Sequence, residues 1–137
     1  MDNHPFTKHQ VVRVIVVISI MFVIAIIHIF RLGSYFKGDL RACYYAYASD
    51  IMIPFAAYFL LSLNEIQFRF LQKWYIKALT VFAVMTFSEI MQYFGIYFFG
   101  DTFDWLDILM FGIGVSIAVC FDTFVLKKLI PFWNYKA

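Results

Sequence analysis

The chain has 137 residues, of which 64% are hydrophobic, 22% aromatic and only 15% charged. Soluble domains are about half apolar and about a quarter charged, so this composition indicates a membrane protein. The formal net charge is only +2, and the basic residues are dispersed between apolar blocks. This distribution argues against nucleic-acid binding.

Four apolar blocks have the length of about 20 residues that a helix needs to cross hydrocarbon. They occupy residues 11–30, 44–63, 77–99 and 105–126. The second block contains Pro54 and reaches spanning length only if Tyr44, Tyr45 and Tyr47 form its interfacial end. Strand-like alternation of polarity is missing. We therefore predict an all-α fold, a single-domain integral membrane bundle of four transmembrane helices.

The first block resembles a signal peptide, because Lys8 and Arg13 stand at its start. Its apolar run is longer than that of a signal peptide, however, and no small-residue cleavage site follows at residues 31–34. We predict that it is a retained signal anchor.

Basic residues near the ends of the blocks predict the orientation. Eight share one side in a four-span topology: Lys8, Arg13, Arg69, Lys73, Lys77, Lys127, Lys128 and Lys136. Only Arg31, Lys37 and Arg41 share the other side. The positive-inside rule then places both termini in the cytoplasm and directs the acidic loop 100–104 outward.

Cys43 and Cys120 are predicted to lie near opposite sides of the membrane, too far apart for a disulfide. We expect both to be free and Cys120 to pack as a small hydrophobic residue.

Glu89 is the most informative polar residue, because a carboxylate within an apolar span costs about 2.5 kcal/mol or more on insertion scales. It is expected about 18 Å from the start of the third span, near the bilayer centre. Thr86, Glu89, Gln92 and Tyr93 follow helical spacing and form one stripe that we expect to face inward. Two interpretations stay open, a functional site and a hydrogen bond that only holds helices together.

Asp104 and Asp107 precede and begin the fourth span. Asp104 is predicted to be the N-cap and Asp107 the third helical residue of a capping box, with Phe103 and Ile108 as a hydrophobic staple. Capping explains one acid fully and the second in part. Glu89 is expected to converge with these two acids, and the three carboxylates would repel one another unless a proton, a cation or a basic side chain compensated.

Further polar residues are expected near the same side. Asp50 in the second span needs a partner, for which Arg41 is the obvious candidate, and His28 is expected to be an interfacial histidine. No cofactor is predicted from a phosphate loop, a zinc-ligand spacing or a nucleophile motif. A divalent cation held by Asp104 and Asp107 stays an open alternative.

The fourth span contains two pairs of small residues at four-residue spacing, Gly112 with Ser116 and Gly114 with Ala118. Such pairs predict the close approach of another helix. Asp122 lies near the cytoplasmic end of this span, where Lys127 and Lys128 are expected to neutralise it.

The run from Glu89 through Gln92, followed by a short loop, Asp104, Asp107 and a glycine-containing apolar helix, resembles the VanZ-like family of small bacterial membrane proteins. The resemblance covers residues 88–119. It departs from the family pattern in two places, since the loop lacks the usual basic residue and Phe111 stands where an Asn is common. The resemblance implies a multi-pass protein of the bacterial cytoplasmic (inner) membrane with a role in the cell envelope, such as resistance to the glycopeptide teicoplanin.

Three functional hypotheses follow from these observations. In the first, the protein binds an envelope lipid headgroup or a glycopeptide at an outward-facing site. The residues of that site are Asp50, Glu89, Gln92, Asp104 and Asp107. In the second, it is an accessory subunit of a larger membrane complex or a homo-oligomer. In the third, it is a metal-assisted enzyme acting on a lipid phosphate, although we favour a non-enzymatic protein.

Overall fold

The structure, a computed structural model, describes residues 7–96, 103–130 and 133. The long helices are α1 (Lys8–Ile29), α2 (Asp39–Ser62), α3 (Trp74–Tyr93) and α4 (Trp105–Cys120), the last followed by a π-helical segment and a final α-helical turn, α5. The π-helical segment is Phe121–Leu126 and α5 is Lys127–Leu129. Two short 3₁₀ helices, Leu32–Tyr35 and Arg69–Gln72, lie in the connections. No strand occurs in these described ranges, so the predicted all-α class is confirmed.

Within the described residues, three stretches are long and apolar enough to cross a membrane. They are Lys8–Ile29, Trp74–Tyr93 and Trp105–Leu129. The helix α2 is long enough, with 24 residues, but it is more polar than the other three. It also begins at Asp39, five residues before the predicted start of the second block. The helix α2 contacts α1, α3 and α4, and its buried residues are Pro54, Tyr58, Phe59 and Ser62, whereas the more polar residues 39–43 are exposed.

The long helices run antiparallel to one another in chain order. At one end, which we call the Lys77 end, the first turns of α1 and α3 meet the last turn of α2 and the π-helical segment. At the opposite end, which we call the Glu89 end, the last turns of α3 meet the start of α4. Side chains separated by many residues in sequence are therefore neighbours at each end.

The helices α2 and α4 approach most closely at Gly114. A Cβ atom on Gly114 would lie 2.3 Å from the carbonyl oxygen of Ile51 and 2.9 Å from the ring of Pro54. Ala118, one turn further, is fully buried. The predicted close approach at Gly114 and Ala118 is confirmed.

The two cysteines are free, as predicted, and both are exposed. The prediction that Cys120 packs as a small hydrophobic residue in the interior is wrong. Cys120 is the last residue of α4 and lies on the helix face turned away from the bundle. Ala118 and Asp122 occupy the face turned toward the bundle at this level.

Candidate functional site

Four carboxyl groups from α2, α3 and the start of α4 converge at the Glu89 end. We call Asp50, Glu89, Asp104 and Asp107 the acidic cluster. Asp50 and Asp107 are within hydrogen-bonding reach of each other, and both lie within electrostatic range of Glu89 and Asp104. The structure thus brings together the four acids that the sequence analysis selected.

Glu89 caps the N-terminus of the neighbouring helix. Its Oε1 atom accepts a hydrogen bond of 2.9 Å from the backbone N–H of Asp104, and its side chain is buried with 3% exposure. Asp104 Oδ1 in turn accepts a 2.9 Å hydrogen bond from the N–H of Leu106, which confirms Asp104 as the N-cap. The helix start is therefore capped by one carboxylate from its own chain segment and one from α3.

The predicted capping box is wrong in one part. In a capping box the third helical residue accepts a hydrogen bond from the N-cap N–H. Here Glu89 takes that N–H, and the side chain of Asp107 faces Asp50 instead. The ring of Phe103 lies against Tyr93 and Trp105, with centroids 5.4 Å and 5.1 Å away.

Asp50 and Asp107 form a carboxyl pair between α2 and α4. An ionised carboxylate only accepts hydrogen bonds, so a hydrogen bond between two carboxyl groups requires a shared proton. Both side chains are partly exposed. The pair therefore lies where a proton or an external cation has access to it.

Gln92 lies one turn beyond Glu89 on the same face of α3. Its side chain has 7% exposure, and its Oε1 atom has no hydrogen-bond partner among the described residues. The hydroxyl of Ser88, next to Glu89, is likewise buried and unpaired there. Buried acceptors are normally satisfied, so Gln92 and Ser88 retain unused hydrogen-bonding capacity beside the acidic cluster.

Two details of the predicted polar stripe are wrong. Tyr93 is 69% exposed, so the inward face of α3 carries Met85, Ser88, Glu89 and Gln92. The helix begins at Trp74 and not at residue 77, which places Glu89 about 22 Å from its start and about 6 Å from its last residue. Glu89 is therefore near the end of the helix rather than near its middle.

No lysine or arginine forms an ion pair with the acidic cluster in the part of the chain that the structure describes. The guanidinium of Arg41, the expected partner of Asp50, lies over the ring of Tyr45 at 5.9 Å. Nine residues separate Arg41 from Asp50, which is two and a half helical turns, so the two side chains leave α2 on opposite faces. Asp101 and Thr102, in the predicted acidic loop, lie outside the described residues.

Residues 7–96, 103–130 and 133 contain no group of three His, Cys, Asp or Glu side chains with a geometry that could hold a metal ion. The carboxyl groups of the acidic cluster are close enough to repel one another. A divalent cation at Asp104 and Asp107 thus stays a prediction.

A second group of charged residues, which the sequence analysis missed as a group, is buried at the Lys77 end. We call it the ion-pair network. Its charged members are Arg13, Glu65, Lys77 and Asp122, all with exposure of 6% or less. Two cations face two anions, and polar groups of Tyr58, Ser62 and Trp133 complete the hydrogen bonds.

Lys77 lies at the centre of the ion-pair network. Its ammonium group pairs with Glu65, donates to Ser62 Oγ at 3.0 Å and lies 3.3 Å from Asp122 Oδ2. It also lies 4.4 Å from the ring centroid of Tyr58, a distance suited to a cation–π interaction. All three donors of the ammonium group therefore have acceptors.

Arg13 connects α1 to the rest of the bundle. Its guanidinium lies 2.8 Å from Glu65 Oε2 and donates to the carbonyl oxygens of Ser62, at 2.9 Å, and Trp133, at 2.7 Å. Only Arg13 and Val17 of α1 are buried. Arg13 thus adds polar contacts to the apolar packing of α1, in which Val17 is buried and Val16, Ile20 and Met21 are partly buried.

Asp122 accepts hydrogen bonds from Tyr58 Oη, at 2.7 Å, and from Trp133 Nε1, at 2.6 Å. Lys127 lies 3.7 Å from it, as expected, whereas Lys128 lies over the ring of Phe124. The sequence signal for this network was the presence of oppositely charged residues at matching depth in antiparallel helices. Arg13 and Lys77 had been interpreted only as interfacial charges that set the orientation.

No protein-family model matches the chain, and no match is found among curated proteins or among solved structures. The resemblance to the VanZ-like family therefore rests on the motif residues alone. Three of these, Glu89, Asp104 and Asp107, belong to the acidic cluster, and Gln92 lies directly beside it.

Proposed function

We propose that this protein is a multi-pass membrane protein that binds the cationic group of an envelope ligand at the acidic cluster. In the proposed orientation the Glu89 end faces outward from the bacterial cytoplasmic membrane, because basic residues are concentrated at the Lys77 end. The observation that carries the proposal is the convergence of four carboxyl groups without a basic partner in the described part of the chain.

A bound cation would relieve an unfavourable arrangement. Like charges a few ångströms apart disfavour one another, and a partly buried site weakens solvent screening. An ammonium group could approach the carboxyl pair of Asp50 and Asp107 and donate hydrogen bonds to both. The unpaired Gln92 Oε1 supplies a further acceptor nearby.

The carboxyl groups come from α2, α3 and the start of α4, so an organic cation with several donors can contact more than one of them. A lipid ammonium headgroup and an amino group of a glycopeptide share this chemistry. The VanZ-like resemblance favours such an envelope ligand, and this proposal retains the teicoplanin-type role as its glycopeptide form.

Binding can be tested with dodecylammonium in nanodiscs of phosphatidylcholine, using uncharged dodecanol as the matched probe. We expect dodecylammonium to bind and Asp107→Asn to weaken its binding about tenfold, which corresponds to about 1.4 kcal/mol. Asp39→Asn is the control, because Asp39 is an exposed acid at the start of α2, on the same side of the bundle as the acidic cluster but outside it. Equal weakening by both substitutions, or equal binding of dodecanol, would refute the proposal.

The envelope role has its own test. When the protein is expressed in a bacterial host, we expect a change in teicoplanin susceptibility that Glu89→Gln and Asp107→Asn abolish at unchanged protein level. Asp39→Asn should retain it. A normal phenotype in both cluster variants would contradict the glycopeptide form.

A second function, that of an accessory subunit or a homo-oligomer, is favoured by one observation. Gly112 and Ser116 lie in open grooves of about 640 Å³ and 430 Å³ between α3 and α4, beside Phe82. The hydroxyl of Ser116 donates to the carbonyl of Gly112 at 2.7 Å, so the groove presents a smooth surface that another helix could approach. Purification in a gentle detergent tests this function, and a stable lone monomer would count against it.

A further inference from the structure

A cleft of about 490 Å³ separates α1 from α2 and from the π-helical segment. Its walls are apolar and include Val23, Ile24, Phe55 and Leu126. The hydroxyl of Ser19, also in the wall, already donates to the carbonyl of Ile15 at 2.8 Å. The cleft therefore offers no polar group to a ligand and is suited to a hydrocarbon chain.

A smaller cavity of about 110 Å³ adjoins this cleft at the Glu89 end, and the two share Ile27 and Met52 in their walls. In contrast to the cleft, the cavity is rich in hydrogen-bond donors. They are provided by Arg31, Tyr44, Tyr45 and Ser49, and His28 also lines the cavity. The two spaces together have an apolar interior and a cationic mouth.

Arg31 is the principal charge at this mouth. It is exposed, and it forms no ion pair within the described residues. Its backbone has φ 47° and ψ 52°, a left-handed conformation that is uncommon for a residue other than glycine. The guanidinium presents donors in a planar fork that matches the oxygens of a phosphate.

The wall of the mouth is held in place by Gly33. A Cβ atom on Gly33 would lie 2.2 Å from the ring of Tyr44, so the backbone of the 3₁₀ helix packs directly on that ring. His28 donates from Nδ1 to the carbonyl of Ile24 at 2.9 Å, which fixes the ring at the edge of the cavity. The donors at the mouth are thus positioned by contacts on both α1 and α2.

We propose that this cleft binds one phospholipid, with its phosphate at Arg31 and one acyl chain between α1 and α2. A cationic mouth over an apolar interior complements both parts of such a molecule. The site is separate from the acidic cluster. Ser49 lines the mouth, while its neighbour Asp50 faces Asp107 on another side of α2.

Two probes with the same acyl chains distinguish the parts of this proposal. Native mass spectrometry of the purified protein with dioleoylphosphatidylglycerol measures binding of a phospholipid, and dioleoylglycerol has the same acyl chains but lacks the phosphoglycerol headgroup. We expect the phospholipid to bind about tenfold more tightly. Equal binding of both probes would overturn the role of Arg31.

Matched variants locate the site. Arg31→Gln should weaken phosphatidylglycerol binding about tenfold, whereas Arg41→Gln, which removes an equal charge at the same end, should not. Ile24→Trp should fill the cleft and abolish binding, whereas Ile18→Trp adds the same bulk to an exposed position outside the cleft. The proposal is refuted if Arg41→Gln weakens phosphatidylglycerol binding as much as Arg31→Gln, or if Ile18→Trp weakens it as much as Ile24→Trp. Dodecylammonium has no phosphate, so a failure of phosphatidylglycerol to bind would not change the outcome of the binding test at the acidic cluster.

Discussion

The two ends of this bundle treat buried charge in opposite ways. At the Lys77 end, two cations and two anions neutralise one another and nearly every polar atom has a partner. At the Glu89 end, four acids converge and no basic side chain pairs with them in the described ranges. Both groups draw residues from several helices.

Under the proposed function, this difference separates a structural network from a binding site. In a charge-balanced network most polar atoms are already paired, so its role is to hold the helices in one arrangement. An unbalanced cluster is maintained at a cost to the fold, and residues that work against stability are concentrated at functional sites. Removing the carboxylate of Asp107, which caps no helix, should therefore change stability in the opposite direction from removing that of Asp122.

The largest effect is expected from breaking the ion-pair network. Asp122→Leu leaves the buried Lys77 without one of its two carboxylate partners, and we expect it to lower the free energy of unfolding by about 3–5 kcal/mol. Unfolding in mixed micelles of mild detergent and dodecyl sulfate measures this change.

The double variant Lys77→Met with Asp122→Leu is the control for that experiment. It removes both charges and leaves Arg13 paired with Glu65, so we expect it to recover much of the lost stability. If the double variant instead had a free energy of unfolding about 3–5 kcal/mol below that of Asp122→Leu, the charges of Lys77 and Asp122 would not compensate each other.

An intermediate effect is expected at Gly114, where α2 and α4 touch between the two clusters. Gly114→Ala places a methyl group against the carbonyl of Ile51, and we expect a loss of about 1–3 kcal/mol. Gly112→Ala is the matched control, because the nearest atom to its added Cβ is a Phe82 ring carbon at 3.5 Å. If thermal denaturation showed the same loss of stability for both variants, the close packing of α2 on α4 would not be the cause of the loss at Gly114.

A smaller effect is expected from the cap that Glu89 provides. Glu89→Ala removes the acceptor for the Asp104 N–H and should cost about 1 kcal/mol, as for other helix caps. Glu89→Gln keeps an oxygen at this position and should retain most of the stability. If both variants lost the same stability, the charge of Glu89 and not its hydrogen bond would support the fold.

The sequence predicted the parts of the structure that depend on local pattern. Apolar length located α1, α3 and α4, and the spacing of Asp104 located the start of α4. The meeting of Glu89 with Asp104 also followed from sequence, because the end of one helix and the start of the next are neighbours when the connection is short.

Details that depend on packing between distant segments could not be predicted in this way. Glu89, and not Asp107, accepts the hydrogen bond from the Asp104 N–H, and this choice depends on the directions of side chains on two helices. Arg13 contacts Ser62 and also Trp133, which lies 120 residues later in the chain. Local hydropathy carries no information on such contacts, and it identifies Arg13 and Lys77 only as basic residues near the ends of apolar blocks.

The most direct test is to compare Asp107→Asn with Asp122→Asn, two isosteric substitutions that each remove one carboxylate, in the same detergent without ligand. We predict that Asp107→Asn raises the free energy of unfolding by about 0.5–1 kcal/mol, because it reduces repulsion within the acidic cluster. Asp122→Asn should lower it by about 3 kcal/mol, because Lys77 loses a charged partner. A loss of stability in both variants, of similar size, would contradict the distinction between a binding cluster and a structural network.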